Sequence, residues 1–288
     1  MLWMFERFSC LANGVFRQNA ELALKEHGYQ SGFYFTPKMI GDTLYAVKDA
    51  KSPQSSSTFQ ALTNAVSVFI EIRGIGLGQD SFKRRSECGF LVARSLVETA
   101  VEQKHLVKKE IGRAVKETIK GKEPIYVTFE ASRNSFMIPF VDLEQNERFE
   151  KDVPAWDAMK LYSTLVRKRP KAYVIPADYV SQIEKLRTLG IEVNQLQAPM
   201  KTKVEKFVVE DIVQSKKKWE GIYPKTVQTT TLVEKEQIPA GSYYIPLAQK
   251  LGNLIVTLLE PESVNGFVNF GVIEAKRGEI IPVYRILK

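Results

Sequence analysis

The sequence predicts an α/β protein in two parts. Residues 1–120 read as part of a mixed sheet with flanking helices, and residues 121–288 as a mostly β region with a small α/β element. Three observations carry this. The near-continuous apolar run from Val66 to Ile72 has the composition of a strand covered on both faces. A long helix-forming stretch, Ser81 to about Ile119, comes after it. Beyond Gly121 short β-prone runs alternate with polar turns, broken by one helical interlude.

Taken in order, residues 14–27 show helical periodicity at Val15, Phe16, Leu22 and Leu24, with His27-Gly28 as the helix end. "YQSGFYFTP" is aromatic and β-prone, which suggests a short strand. Residues 47–58 contain Ser-Pro and a serine run and read as a surface loop. The strand Val66–Ile72 carries Glu71 near its end, before Gly74, Gly76 and Gly78. A carboxylate in such a run is costly unless it is paired or the strand stops there. In open α/β sheets, ligands sit at the carboxyl ends of strands. Glu71 is therefore either a structural carboxylate paired with Arg73 or a working group. Asp80 or Ser81 can cap the following helix, whose length predicts two helices or a bend at Gly112. In the second part, "EPIYVTFEASRNSFMIPFVDLE", "KVEKFVVEDIVQ", "TVQTTTLVEKEQIPAGSYYIPL" and "IPVYRILK" read as strands and turns. "PADYVSQIEKLRTLGIEV" reads as a helix opened by Pro176 and closed by Gly190.

Of the 288 residues, 44% are apolar and 26% charged, the composition of a soluble globular protein. No apolar run approaches the roughly 20 residues that span a bilayer. The first residues lack the order of a signal peptide, and compartment stays open. Cys10 and Cys88 cannot build a disulfide framework or a thiolate metal site, and read as free core thiols. The net charge of +8 invites an acidic partner, but the basic groups are scattered and no aromatic residues interleave with them. They read as solvated surface, with no nucleic acid as partner.

The stretch "VFIEIRGIGLGQDSFKRR" resembles the segment of M14 zinc carboxypeptidases that carries the catalytic glutamate, and Glu71 falls on that position. "STFQALTNAVS" resembles the approach to it in bacterial members. "KAYVIPADYVSQIEKLRTLGIEVNQL", "IPAGSYYIPLAQKLGNLIVTLLEPES" and "VNGFVNFGVI" are similar to the tail of large bacterial members, so the resemblance covers almost the whole chain. It implies peptide-bond hydrolysis, with zinc polarising the carbonyl and activating water while Glu71 takes the proton. Arg73 then supports Glu71 or the fold rather than anchoring substrate. Tyr45 lies in the region where the family often places a substrate-contacting tyrosine, although an ordinary surface tyrosine is the favoured reading.

The chain departs from that family at the zinc. The His-x-x-Glu motif and second distant histidine are missing: His27 lies in "HGYQ" and His105 in "HLVK". The family's Asn-Arg pair is missing before Glu71 too, and Arg133-Asn134 has the reverse order and lies far downstream. The expectation is a chain matching the C-terminal part of a longer hydrolase, residues 1–120 from the catalytic region and 121–288 an accessory β region. It would bind no zinc, would be inactive alone, and would act on a peptide or peptidoglycan-like substrate only within the longer protein. Relatives of that kind are often exported. The competing expectation is a non-catalytic module that binds peptide or cell-wall material.

Overall fold

The computed structural model describes residues 11–48, 52–74 and 76–287. Cys10 therefore lies outside the described residues, and Cys88 is a half-buried free thiol. A π-helical turn, Ala12–Phe16, leads into α1 (Arg17–Glu26), which ends at His27 and Gly28 as expected. Leu24 O and Lys25 O accept the next two backbone N–H groups, and Gly28 takes φ +76° to turn the chain out of the helix.

Two sheets follow. The first is mixed, with strand order β1-β2-β4-β3. Strands β1 (Thr36–Ile40) and β2 (Thr43–Lys48) are antiparallel, as are β3 (Ile125–Asp142) and β4 (Glu147–Arg167), whereas β2 runs parallel to β4 through Ala46–Lys48. Its covered face packs Ala46, Ile138, Val153 and Ala155 with Phe35, Leu44, Phe136 and Phe140. The second sheet is antiparallel throughout, in the order β6-β9-β5-β10-β7-β8. It is built from β5 (Ala172–Ile175), β6 (Asn194–Gln195), β7 (Met200–Gln214), β8 (Lys225–Ile238), β9 (Tyr243–Pro246) and β10 (Ile280–Ile286). The expected α/β organisation, helices around a mixed sheet followed by a β-rich region, is what forms. Position 120 ends a helix, and the mixed sheet pairs strands from both sides of it.

Helix α2 (Ser56–Leu62) begins inside the expected loop. The long helical stretch is two helices, α3 (Phe82–Glu102) and α4 (Lys104–Lys120), and the break is at Gln103 rather than Gly112. Ser81 precedes α3 in the left-handed region (φ +58°) and its side chain makes no cap bond. The expected helix in the second part is α5 (Val180–Thr188), closed by Gly190 at φ +82°. A further helix, α6 (Gly252–Leu259), is buried nearly all round.

The main core lies on one face of the antiparallel sheet. Tyr173, Ile175, Phe207, Ile245 and Val283 meet Ile183 and Leu186 of α5 and Leu254, Ile255 and Leu259 of α6 there. Leu62 of α2 and Ile125 and Val127 of β3 enter the same core. The long β3–β4 hairpin thus starts in the main core and ends in the small one under the mixed sheet.

The strand expected over Val66–Ile72 does not form. Residues 65–72 pair with no strand among the described residues. A run of this composition still buries what it can reach. Val66 packs on Ala114 and Ile111 of α4, while Phe69, edge-on to Tyr34, remains 53% exposed. Without a ladder its backbone groups need water, which keeps the segment at the surface.

Candidate functional site

Glu71 lies exposed in that unpaired segment, and Arg73 is exposed two residues on. No ion pair or hydrogen bond joins them among the described residues, so the structural pairing considered for Glu71 is not made. The turn after them is shaped by Arg85 of α3, whose guanidinium donates to Gly78 O at 2.6 Å and to Gly74 O at 3.4 Å. A Cβ at Gly74 would stand 2.7 Å from Arg85 Nη1, so any larger residue there must displace the arginine that crosses the turn. Glu71 itself is open to solvent.

Tyr45 is on β2, half-buried, with its ring stacked on Trp156 of β4 at 4.8 Å between centroids. No contact links it to Glu71 among the described residues. Arg133 and Asn134 sit on β3 on opposite faces, Asn134 donating to Asp157 at 3.3 Å and Arg133 paired in register with Trp156.

The zinc implied by the M14 resemblance can be tested against the residues present. The Nδ1 of His27 is engaged at 2.9 Å with Ala23 O at the end of α1, and His105 lies exposed on α4. No group of three His, Cys, Asp or Glu among the described residues could hold a metal ion. The described residues therefore do not fit that ion, and no step is assigned to it.

The densest polar constellation lies elsewhere and was not singled out from the sequence. Arg167, at the end of β4, donates to Glu260 at 2.9 Å and to both carboxylate oxygens of Glu262 at 2.7 and 2.8 Å. Tyr173 donates to Glu260 at 2.6 Å, and Thr229 to Glu262 at 2.6 Å. Arg285 of β10, only 1% exposed, pairs with Glu205, donates to Lys168 O, and places Nε 3.2 Å from Glu260. Burial pushes the Glu260 carboxyl up, against the pull of Arg285 and Arg167. Burial likewise acts on Glu262, but its bonds to Arg167 hold it below the usual carboxylate range. The Tyr173 hydroxyl is driven well up, by burial first and by Glu260 second. These groups answer one another and are closed to solvent, so the cluster ties β4, β5, β7, β10 and the end of α6 together rather than receiving a substrate. One signal was available in "LLEPES": two carboxylates directly after an apolar helix demand buried partners.

A cleft of about 360 Å³ opens on the mixed sheet, lined by Lys38, Lys48, Glu130, Arg133, Trp156 and Tyr162 among others. Behind it, on the covered face, Lys48 is buried 3.5 Å from Asp157 and over the rings of Phe33 and Phe136.

The proteins this chain is similar to are carboxypeptidases. It is 27% identical over 225 residues to the carboxypeptidase 2 of Trichophyton tonsurans and to that of Trichophyton equinum, a match covering 78% of this chain and 42% of each relative. The carboxypeptidase 2 of Trichophyton rubrum matches with the same identity and coverage. The chain thus spans about two fifths of the length of these curated relatives. No family model and no solved structure matches it. The similarity supports a carboxypeptidase relationship.

Proposed function

We propose that this chain is part of a peptide hydrolase of the carboxypeptidase type, of the M14 group, with Glu71 as its proton acceptor. The observation that carries the reading is the similarity to the carboxypeptidase 2 proteins over 78% of the chain. The open carboxylate of Glu71 is compatible with its role, since a base must be reachable by the water it deprotonates. In this reading Glu71 takes a proton from the attacking water and returns one to the leaving amine. Arg73 steadies the segment, Tyr45 is a substrate contact, and residues outside this chain complete the site, including whatever holds zinc. The substrate is a peptide or peptidoglycan-like stem.

Alone, the chain is expected to release no C-terminal residue. The test is a chimera in which it replaces the matching portion of the Trichophyton tonsurans protein, assayed on peptides with a free C-terminus. Glu71→Gln in an active chimera should lower turnover by roughly 100-fold or more, because the amide keeps the shape but accepts no proton. Undiminished turnover in that variant would remove Glu71 from the chemistry.

The second reading is a binding module without catalysis. It is favoured by the unpaired, solvent-exposed setting of Glu71, since a catalytic carboxylate works best on a rigid element. A folded chimera that retains peptide affinity but cleaves nothing with Glu71 intact would establish it.

A further inference from the structure

The cleft on the mixed sheet is built by a break in register. Ser132 of β3 pairs with Asp157, but the next residue back, Ala131, pairs with Leu161. Ala158, Met159 and Lys160 therefore bulge out of β4 without partners, and Ser132 Oγ caps the bulge by donating to Lys160 O at 2.6 Å. Bulges of this kind concentrate beside binding sites because they re-aim side chains and part the strands. Asp157 at the mouth of the bulge is 3% exposed and accepts from Met159 N–H at 3.1 Å, so the distortion is held in place.

Across the open face runs a ladder of one side chain per strand. Lys38 on β1 pairs in register with Tyr45 on β2, Tyr45 stacks on Trp156 of β4, and Trp156 pairs in register with Arg133 of β3. The order is cation, aromatic, aromatic, cation. The Lys38 ammonium stands 5.5 Å from the Trp156 ring centroid. Lys48, next along β2 from Val47, turns its ammonium to the covered face, 3.5 Å from Asp157 and over the Phe33 and Phe136 rings, so the charge it carries lies behind the cleft rather than in it. Glu130 is the one acid in the lining, and Tyr162 donates to it at 2.7 Å.

We propose that this cleft binds a planar aromatic anion, the ring lying on Trp156 and the anionic group held between Lys38 and Arg133. Trp156 supplies a broad face whose quadrupole already attracts a cation, and Lys38 and Arg133 place positive charge on two sides of it. Ring and charge are both needed. A neutral ring gains nothing from the flanking cations, and an anion alone gains little from exposed lysine and arginine in water. The site does not involve Glu71; it borders Tyr45, the substrate contact of the hydrolase reading, but ligand binding is measured without turnover and so is judged apart from that reading.

The anion can be a carboxylate or a phosphate, and the test separates them. The purified chain is titrated with indole-3-acetate, with adenosine monophosphate, and with neutral indole-3-acetamide, following the indole N–H resonances and the heat of binding. At least one anion should bind in the millimolar range or tighter, with the acetamide about tenfold or more weaker than the acetate. The tighter anion identifies the source, aromatic acid or nucleotide. Trp156→Ala should cost about tenfold or more in affinity for the bound anion. The double variant Lys38→Gln, Arg133→Gln changes only surface groups and should cost as much, while Trp156→Phe keeps part of the platform and most of the binding. Equal binding of acetate and acetamide, no binding of either anion, or wild-type affinity in the Lys38/Arg133 variant would overturn the proposal.

Discussion

Glu260 and Glu262 stand two residues apart and titrate in opposite directions. Glu262, held down by Arg167, adds stability that is complete above its unfolded pKa and lost as pH falls through its folded one. Glu260, pushed up by burial, works the other way, so the fold regains stability as pH falls from its folded pKa toward its unfolded one. Glu262→Gln should therefore lower stability at neutral pH and flatten its decline below the usual carboxylate range. Urea midpoints measured between neutral pH and the acid limb check this. Tyr173→Phe removes a hydrogen bond to a buried carboxylate at 2.6 Å and should cost about 1.5–3 kcal/mol. A larger loss would mean that the phenol also holds the arginines in place. None of these pairings could be read from the chain, because Arg167 and Glu262 lie far apart in it and only the sheet brings them together.

At the scale of elements, legibility followed periodicity. Helices α1, α3, α4 and α5 declare themselves by one apolar stripe, and β7 and β8 by β-branched alternation. Helix α6 did not, because a helix buried on every side has no stripe and "GNLIVTLL" reads as readily as a strand. The Val66–Ile72 run misled for the complementary reason: strand composition shows that a residue suits a sheet, not that a neighbouring strand is there to receive it. The same held at the site, where Glu71 was marked by motif, while the Lys38, Tyr45, Trp156 and Arg133 ladder depends on register. Just before that run, Asn64 joins three helices. It takes φ +62°, donates to Lys250 O at 2.8 Å beside α6, and accepts from Thr118 of α4 at 3.2 Å. Asn64→Ala should cost about 1–3 kcal/mol in the main transition, since it strands buried partners and strains the backbone. Asn64→Gly relieves the strain alone, so the difference between the two in urea denaturation isolates the left-handed conformation.

At the scale of the molecule, the antiparallel sheet is complete within residues 172–286, while the mixed sheet needs β2 from before residue 120 and β4 from after it. A fragment from Gly121 to Lys288 should fold cooperatively around the main core, keeping Arg167 with Glu260 and Glu262, yet leave the outer half of the β3–β4 hairpin without β1 and β2. Limited proteolysis should then cut first between about residues 132 and 157, and amide exchange should protect β5, β7 and β10. Cleavage starting in the antiparallel sheet would show instead that the whole molecule folds as one unit. The hairpin itself has a mechanical consequence. Its β3 arm alone, 18 residues at about 3.4 Å each, is a ribbon roughly 60 Å long. It is clamped at Ile125 and Val127 in the large core and loaded at the far end by the small one. Its register slips between Tyr126 and Phe129 and again between Ala131 and Ser132. A two-stranded ribbon is stiff in tension and soft in twist, so torque applied at the tip gathers at these interrupted rungs. Twist imposed on the arm is therefore expected to gather in the section just beyond the clamp, where a small rotation would sweep the aromatic face through a wide arc.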